Sequence, residues 1–97
     1  MQPYRILWQP KAEQDSERIY DYYENCRNGL GEEFLAELER CTEKYISIFP
    51  KLARIIPLNR RQYYLKRFPY SLIYLINESK KQIQILAILH HKQKLKR

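Results

Sequence analysis

Apolar residues recur along the chain in two rhythms, and each change of rhythm marks a change of element. "YRILW" opens with alternation, Tyr4, Ile6 and Trp8 sharing one side, the period of a half-buried strand. From Pro10 the period lengthens. Ala12, Ser16, Ile19, Tyr23 and Cys26 follow at 4-3-4-3 spacing, which places them in one stripe along a helix. Pro10 suits the first helical position, where a missing N–H costs nothing, and Glu13, Asp15 and Glu17 favour the positive end of the helix dipole. Both glycines fall in "RNGLG", residues 27–31, and mark a turn. A second stripe follows with the same spacing: Phe34, Leu38, Cys41, Tyr45 and Ile48, ended by Pro50. Two such helices joined by a short turn predict an antiparallel hairpin packed through facing seams.

Residues 51–60, "KLARIIPLNR", read as an irregular connection. Ile55, Ile56 and Pro57 make it too apolar for a free linker, so it is expected to pack on the domain. Three strand-like runs come next: "RQYYLKR" (61–67), "YSLIYLIN" (70–77) and "QIQILAILH" (82–90), the last two joined by a hairpin loop, "NESKK". Residues 72–75 and 85–88 are apolar on both faces, the mark of central strands covered on two sides. Pro69 cannot donate to a ladder, so "KRFPY" is a tight connection between strands. The order β-α-α-β-β-β predicts an α+β fold: an N-terminal strand, then an antiparallel helical hairpin packed on a small, mainly antiparallel sheet. Ninety-seven residues support one modest core, so residues 1–97 are read as a single domain.

Charge adds an asymmetry that hydropathy does not show. Residues 1–49 carry six Lys/Arg against ten Asp/Glu, a net −4. Residues 50–97 carry twelve Lys/Arg against one acid, Glu78, a net +11. Solubility alone does not need this sign, so the second half is expected to meet an anionic partner: nucleic acid, an acidic protein segment or anionic lipid. The acidic residues of the two helices are most simply solvated faces. With 44% hydrophobic residues the chain is no disordered tail. Cys26 and Cys41, in opposite arms of the hairpin, come out about 13 Å apart at 1.5 Å per residue, too far for a disulfide, and read as reduced core cysteines. No charged-then-apolar leader and no long apolar run appear, so a cytoplasmic protein that neither spans nor binds a membrane is expected.

"WQPKAEQDSERIYDYYENC", a second amphipathic helix ending "IFPKL", then "YYLKRFPYSLIYLI" and "QILAILHHK", resemble in that order the RelE/ParE superfamily of bacterial type II toxins. The resemblance spans essentially the whole chain and lies nearer the ParE branch. It implies a toxin, of the kind tied to plasmid stabilisation, that stops growth by binding its target, DNA gyrase. It also implies a cognate antitoxin whose segments wrap the toxin in a hetero-oligomer. The basic second half suits an acidic segment of that kind. The RelE branch implies the alternative, cutting of messenger RNA on the ribosome.

Metal-free RNA cleavage needs a base for the 2′-OH proton, cations for the developing phosphorane charge and an acid for the leaving oxygen. His90 and His91 are the candidate proton carriers, with Arg61 and Arg67 as the cations. Adjacent strand residues point to opposite faces, so only one histidine can face a given site. The tyrosine that many RelE-like members carry near the C-terminus is absent from "KQKLKR". Under the binding reading, Arg60, Arg61, Lys66, Arg67, His90, His91, Lys92 and Lys94 form a basic rim for target or antitoxin. Tyr63, Tyr64 and Tyr70 add contact area where they do not point inward. One acid in the second half cannot build a two-metal site, and neither metal nor cofactor is expected. A third class, an RNA-binding sheet, would need aromatics on an uncovered face.

Overall fold

The structure, a computed structural model, describes residues 2–92. Pro10 opens helix α1 (Pro10–Cys26) at its first position. Gly29, in the left-handed region at φ 90°, turns the chain into helix α2 (Leu30–Cys41). Gly31 is there for space, since a Cβ would stand 2.7 Å from both the Tyr20 carbonyl and the Glu24 side chain. The Glu24 carboxylate accepts from the amides of Gly29, Gly31 and Glu32 at 3.3, 2.8 and 3.4 Å. It thereby takes up donors that the first turn of α2 would leave unpaired.

The stripes meet as the spacing predicts for Ala12, Ile19, Phe34, Leu38 and Cys41, all buried in one core. Two positions differ. Cys26 is exposed, and the expectation that it is a core cysteine is corrected: it ends α1, a turn beyond Tyr23, whose ring packs on Phe34, Phe68 and Tyr70. Both cysteines are free. The second stripe shifts by one residue after Cys41, because Thr42–Ile46 winds as a π-helix. The Ser47 amide donates to the Thr42 carbonyl at 2.9 Å, five residues back. A wider turn inserts one residue into the period. Ile46 is therefore inside, 1% exposed, and Tyr45 is outside at 40%.

Five strands form one sheet in the order β1-β5-β4-β3-β2. They are β1 (Arg5–Trp8), β2 (Arg54–Ile56), β3 (Arg60–Tyr64), β4 (Tyr70–Asn77) and β5 (Gln82–His90). β1 runs parallel to β5, and the other pairs are antiparallel. β2 lies within the segment expected to be irregular. It pairs Arg54 with Gln62 and Ile56 with Arg60 across a turn in which Leu58 and Asn59 adopt positive φ, 66° and 57°. β3 stops at Tyr64, before Leu65–Pro69 turns back.

The helices cover one sheet face, with Leu72, Tyr74, Ile83, Ile85 and Ile88 in the shared core. Leu86 is an extra residue on β5, since Tyr74 faces Ile85 while Ile73 faces Ala87. This bulge keeps Ile83, Ile85 and then Ile88 on the same face despite their uneven spacing. By register, the opposite face carries Gln62, Tyr64, Ser71, Ile73, Ala87 and Leu89. Ile73 is buried there, 2% exposed, outside the core that the helices share. β1 pairs only as far as Ile85, so β5 continues with a bare edge. Asp15 closes it: its carboxylate, 5% exposed, accepts from the Ile88 amide at 3.0 Å and from Lys11 at 2.9 Å, with Arg18 at 3.3 Å.

Candidate functional site

The connection between β3 and β4 is built from Leu65 and Phe68, both buried, with Lys66, Arg67 and Pro69 outside. The Leu65 amide donates to the Tyr70 carbonyl at 2.9 Å, and the His91 amide to the Pro69 carbonyl at 2.8 Å. The connection is as tight as proline at that position predicts. Helix α2 fixes it. Arg67 Nη2 donates to Glu33 Oε1 at 2.7 Å, and Arg27 holds the other oxygen of the same carboxylate at 3.0 Å. Hydrogen bonds from Arg67 and Arg27 lower the Glu33 pKa. Burial would raise that of Glu37, but the Arg40 guanidinium at 2.6 Å and the backbone amides of Arg67 and Lys66 outweigh it, and the net shift is downward. Lys66 lies over the Tyr45 ring at 6.0 Å, with Arg40 over the same ring at 5.7 Å.

Arg60 and Arg61 start β3 and turn to backbone carbonyls. Arg61 Nη1 donates to the Lys51 and Ala53 carbonyls at 2.7 and 2.9 Å, pinning the segment that leads into β2. Beside it Tyr74 donates to the Pro50 carbonyl at 2.7 Å, and burial pushes its phenol up to about 12. Arg60 Nε donates to the Pro57 carbonyl at 2.8 Å.

The two histidines part company, His90 as the last residue of β5 and His91 just beyond it. His90 packs edge-on against Tyr70, on the helix side, with ring centroids 5.1 Å apart, and its Nδ1 accepts from the Lys92 amide at 3.1 Å. His91 packs against Tyr64, also at 5.1 Å. Tyr64 stands on the face away from the helices, and Arg54 Nη1 reaches its hydroxyl at 3.4 Å. Arg54, Tyr64 and His91 thus form an exposed row of cation, phenol and imidazole. In the sequence Arg54 stands out only as one of the basic residues after the second helix, with Lys51, Arg60 and Arg61. Lys92 is exposed, and Lys94 lies outside the described residues.

Beside this row the surface is unusually apolar. Phe49, Leu52, Ile55 and Leu58 are 50 to 82% exposed along the β2 edge, interleaved with Lys51 and Arg54. Apolar side chains so placed, with cations between them, suit contact with a protein surface.

Comparison with known proteins supplies the context. A family model described as the ParE toxin of the type II toxin–antitoxin system parDE matches residues 6–95. No curated protein matches the chain. Among solved structures, the chromosomal ParDE toxin–antitoxin system from P. aeruginosa is similar over 90% of this chain and 95% of that one, with 23% identity and a TM-score of 0.74. A chain of the RelBE2 toxin–antitoxin complex from Mycobacterium tuberculosis is similar over 93% of each, with 19% identity and a TM-score of 0.69.

Proposed function

We infer that this chain, which belongs to the ParE toxin family of type II toxin–antitoxin systems, stops growth by binding its target in the cytoplasm, DNA gyrase, and is neutralised by a cognate antitoxin. One observation carries the preference for contact over chemistry. The groups that RNA cleavage would call on are engaged elsewhere: Arg61 in backbone carbonyls, Arg67 in Glu33, and the two histidines against different tyrosines. The apolar and cationic β2 edge is what remains available to a target. Its association is electrostatically guided and weakens with salt. The likeness to two toxin–antitoxin complexes supports an antitoxin partner, and an acidic segment would suit the C-terminal cations.

The Arg54, Tyr64 and His91 row favours a second reading, a ribosome-dependent messenger RNA endonuclease, because it places a cation and a proton carrier around one phenol. Expression in bacteria separates the two. Gyrase-trapped DNA breaks with intact transcripts are expected. Codon-specific transcript cuts that His91→Ala abolishes would replace gyrase binding with the nuclease.

A further inference from the structure

Where the π-helical turn Thr42–Ile46, the short helical turn Pro50–Leu52 and β3 meet, the surface opens a hollow of about 120 Å³. Its walls are Tyr45, Ile46, Phe49, Leu52, Ala53 and Tyr63, with no carboxylate among them. The Tyr45 and Tyr63 rings lie nearly parallel, tilted by 24° with centroids 6.4 Å apart, and the Tyr63 hydroxyl is hydrogen-bonded to the Cys41 thiol. Phe49 and Leu52 stay 50% and 82% exposed on the rim, apolar surface that water does not favour. The segment carrying these walls is held in place from inside. Arg61 binds the Lys51 and Ala53 carbonyls and Tyr74 binds that of Pro50, so the hollow is preformed.

The charge around it has one sign. Lys66 Nζ and the Arg40 guanidinium both sit over the Tyr45 ring. Arg40 is paired with Glu37, but Lys66 has no ion-pair partner among the described residues. Lys51, between Phe49 and Leu52 in the sequence, has a side chain 64% exposed and only a 3.4 Å surface contact with Glu78.

We propose that this hollow receives one bulky apolar side chain, such as Phe, Leu or Ile, from an acidic segment of a partner protein whose carboxylates meet Lys66 and Lys51. An apolar cavity of about 150 Å³ accepts a benzene ring, so this volume suits a single side chain. An anchor in a preformed apolar hollow supplies affinity, and the cations beside it select the residues that flank the anchor. A second copy of this chain meeting the hollow face to face would bring the same cations to the same edge and be repelled. A nucleobase would bring polar edges to walls that are apolar apart from two phenols, one of them already engaged. The assignment rests on the reading of the β2 edge as a contact surface and adds the group it recognises.

Purified, isotope-labelled full-length chain is titrated with a short blocked peptide, Glu-Asp-Phe-Asp-Glu, while amide resonances are followed. Saturable shifts at Phe49, Ala53 and Tyr63 are expected, shrinking as salt rises. Replacing the peptide's Phe by Ala should weaken binding about tenfold, and replacing its acids by Lys should abolish it. On the protein, Ala53→Met fills the hollow and should also weaken binding about tenfold. Leu52→Ser removes one exposed wall and should weaken binding while retaining the native circular dichroism spectrum. Lys66→Glu should weaken the acidic peptide and admit the Lys-flanked one. Absence of shifts at these amides, equal binding of the Ala or Lys peptide, indifference to both Ala53→Met and Leu52→Ser, self-association through these residues, or an oligothymidylate that competes for them would each overturn the proposal. Gyrase-linked DNA breaks are scored separately in cells, so failure of the hollow and failure of the gyrase reading are told apart.

Discussion

Two sets of carboxylates ride on the same helical hairpin and meet opposite surroundings. Asp15, Glu24, Glu33 and Glu37 face protein: the Ile88 amide, the first turn of α2, and the loop carrying Lys66 and Arg67. Glu13, Glu17, Glu39 and Glu43 face an open trough and pair with no cation among the described residues. Asp15 and Glu13 are two residues apart, yet only the first holds the fold together. The difference shows that acidity on a helix says nothing of its role until the backbone donors around it are counted. Those donors are the bare edge of β5, the start of α2 and the turn before β4, each a place where regular hydrogen bonding runs out.

Substitution should separate the two sets by size of effect. Asp15→Ala strands the Ile88 amide and leaves Lys11 and Arg18 without their anion, so a loss of about 2–4 kcal/mol is expected in denaturant unfolding. Asp15→Asn, which can still accept from Ile88, should recover part of it. Glu37→Ala removes the anchor of Arg40, and should cost about 1–3 kcal/mol. Glu24→Ala leaves the α2 start uncapped, for about 1 kcal/mol. Glu13→Gln and Glu43→Gln should change stability by no more than about 0.5 kcal/mol, and a larger loss would place them in the first set.

Acid should act through Glu33 and Glu37. The pKa values of Glu33 and Glu37 are lowered in the folded state, by Arg67 and Arg27 for Glu33 and, against burial, by Arg40 and the loop amides for Glu37. Their contribution is present above the unfolded value of 4.5 and is lost as pH falls through the lower folded values. Unfolding temperature should hold above that pH and drop below it, and Arg67→Ala should make the drop shallower.

Helices, turn and the three long strands were legible because each rests on a repeating pattern: the 4-3 spacing of Phe34, Leu38 and Cys41, or the apolar centres of β4 and β5. What escaped has no period. The π-turn escaped because Tyr45 and Ile46 are both apolar enough to carry the stripe, and only the wider winding chooses between them. Three residues, 54–56, are too few to show alternation, so β2 was hidden. The cations of the second half were visible as a group, but not their partners. Whether Arg61 faces solvent or the carbonyls of Lys51 and Ala53 is decided by how the chain returns past it. In the same way Tyr64 became a neighbour of His91 only through the pairing of β3 with β4.

The parallel pairing of β1 with β5 sets the order in which the domain is completed. Arg5 takes its place opposite Gln82, so β1 has no strand to pair with until residues 82–85 have emerged. The hairpin of α1 and α2 can close locally while the ribosome is still at work, but its sheet cannot be finished. Contacts this distant in sequence are slow to form, because the intervening chain must be gathered first. The domain is thereby left unfinished until β5 is released.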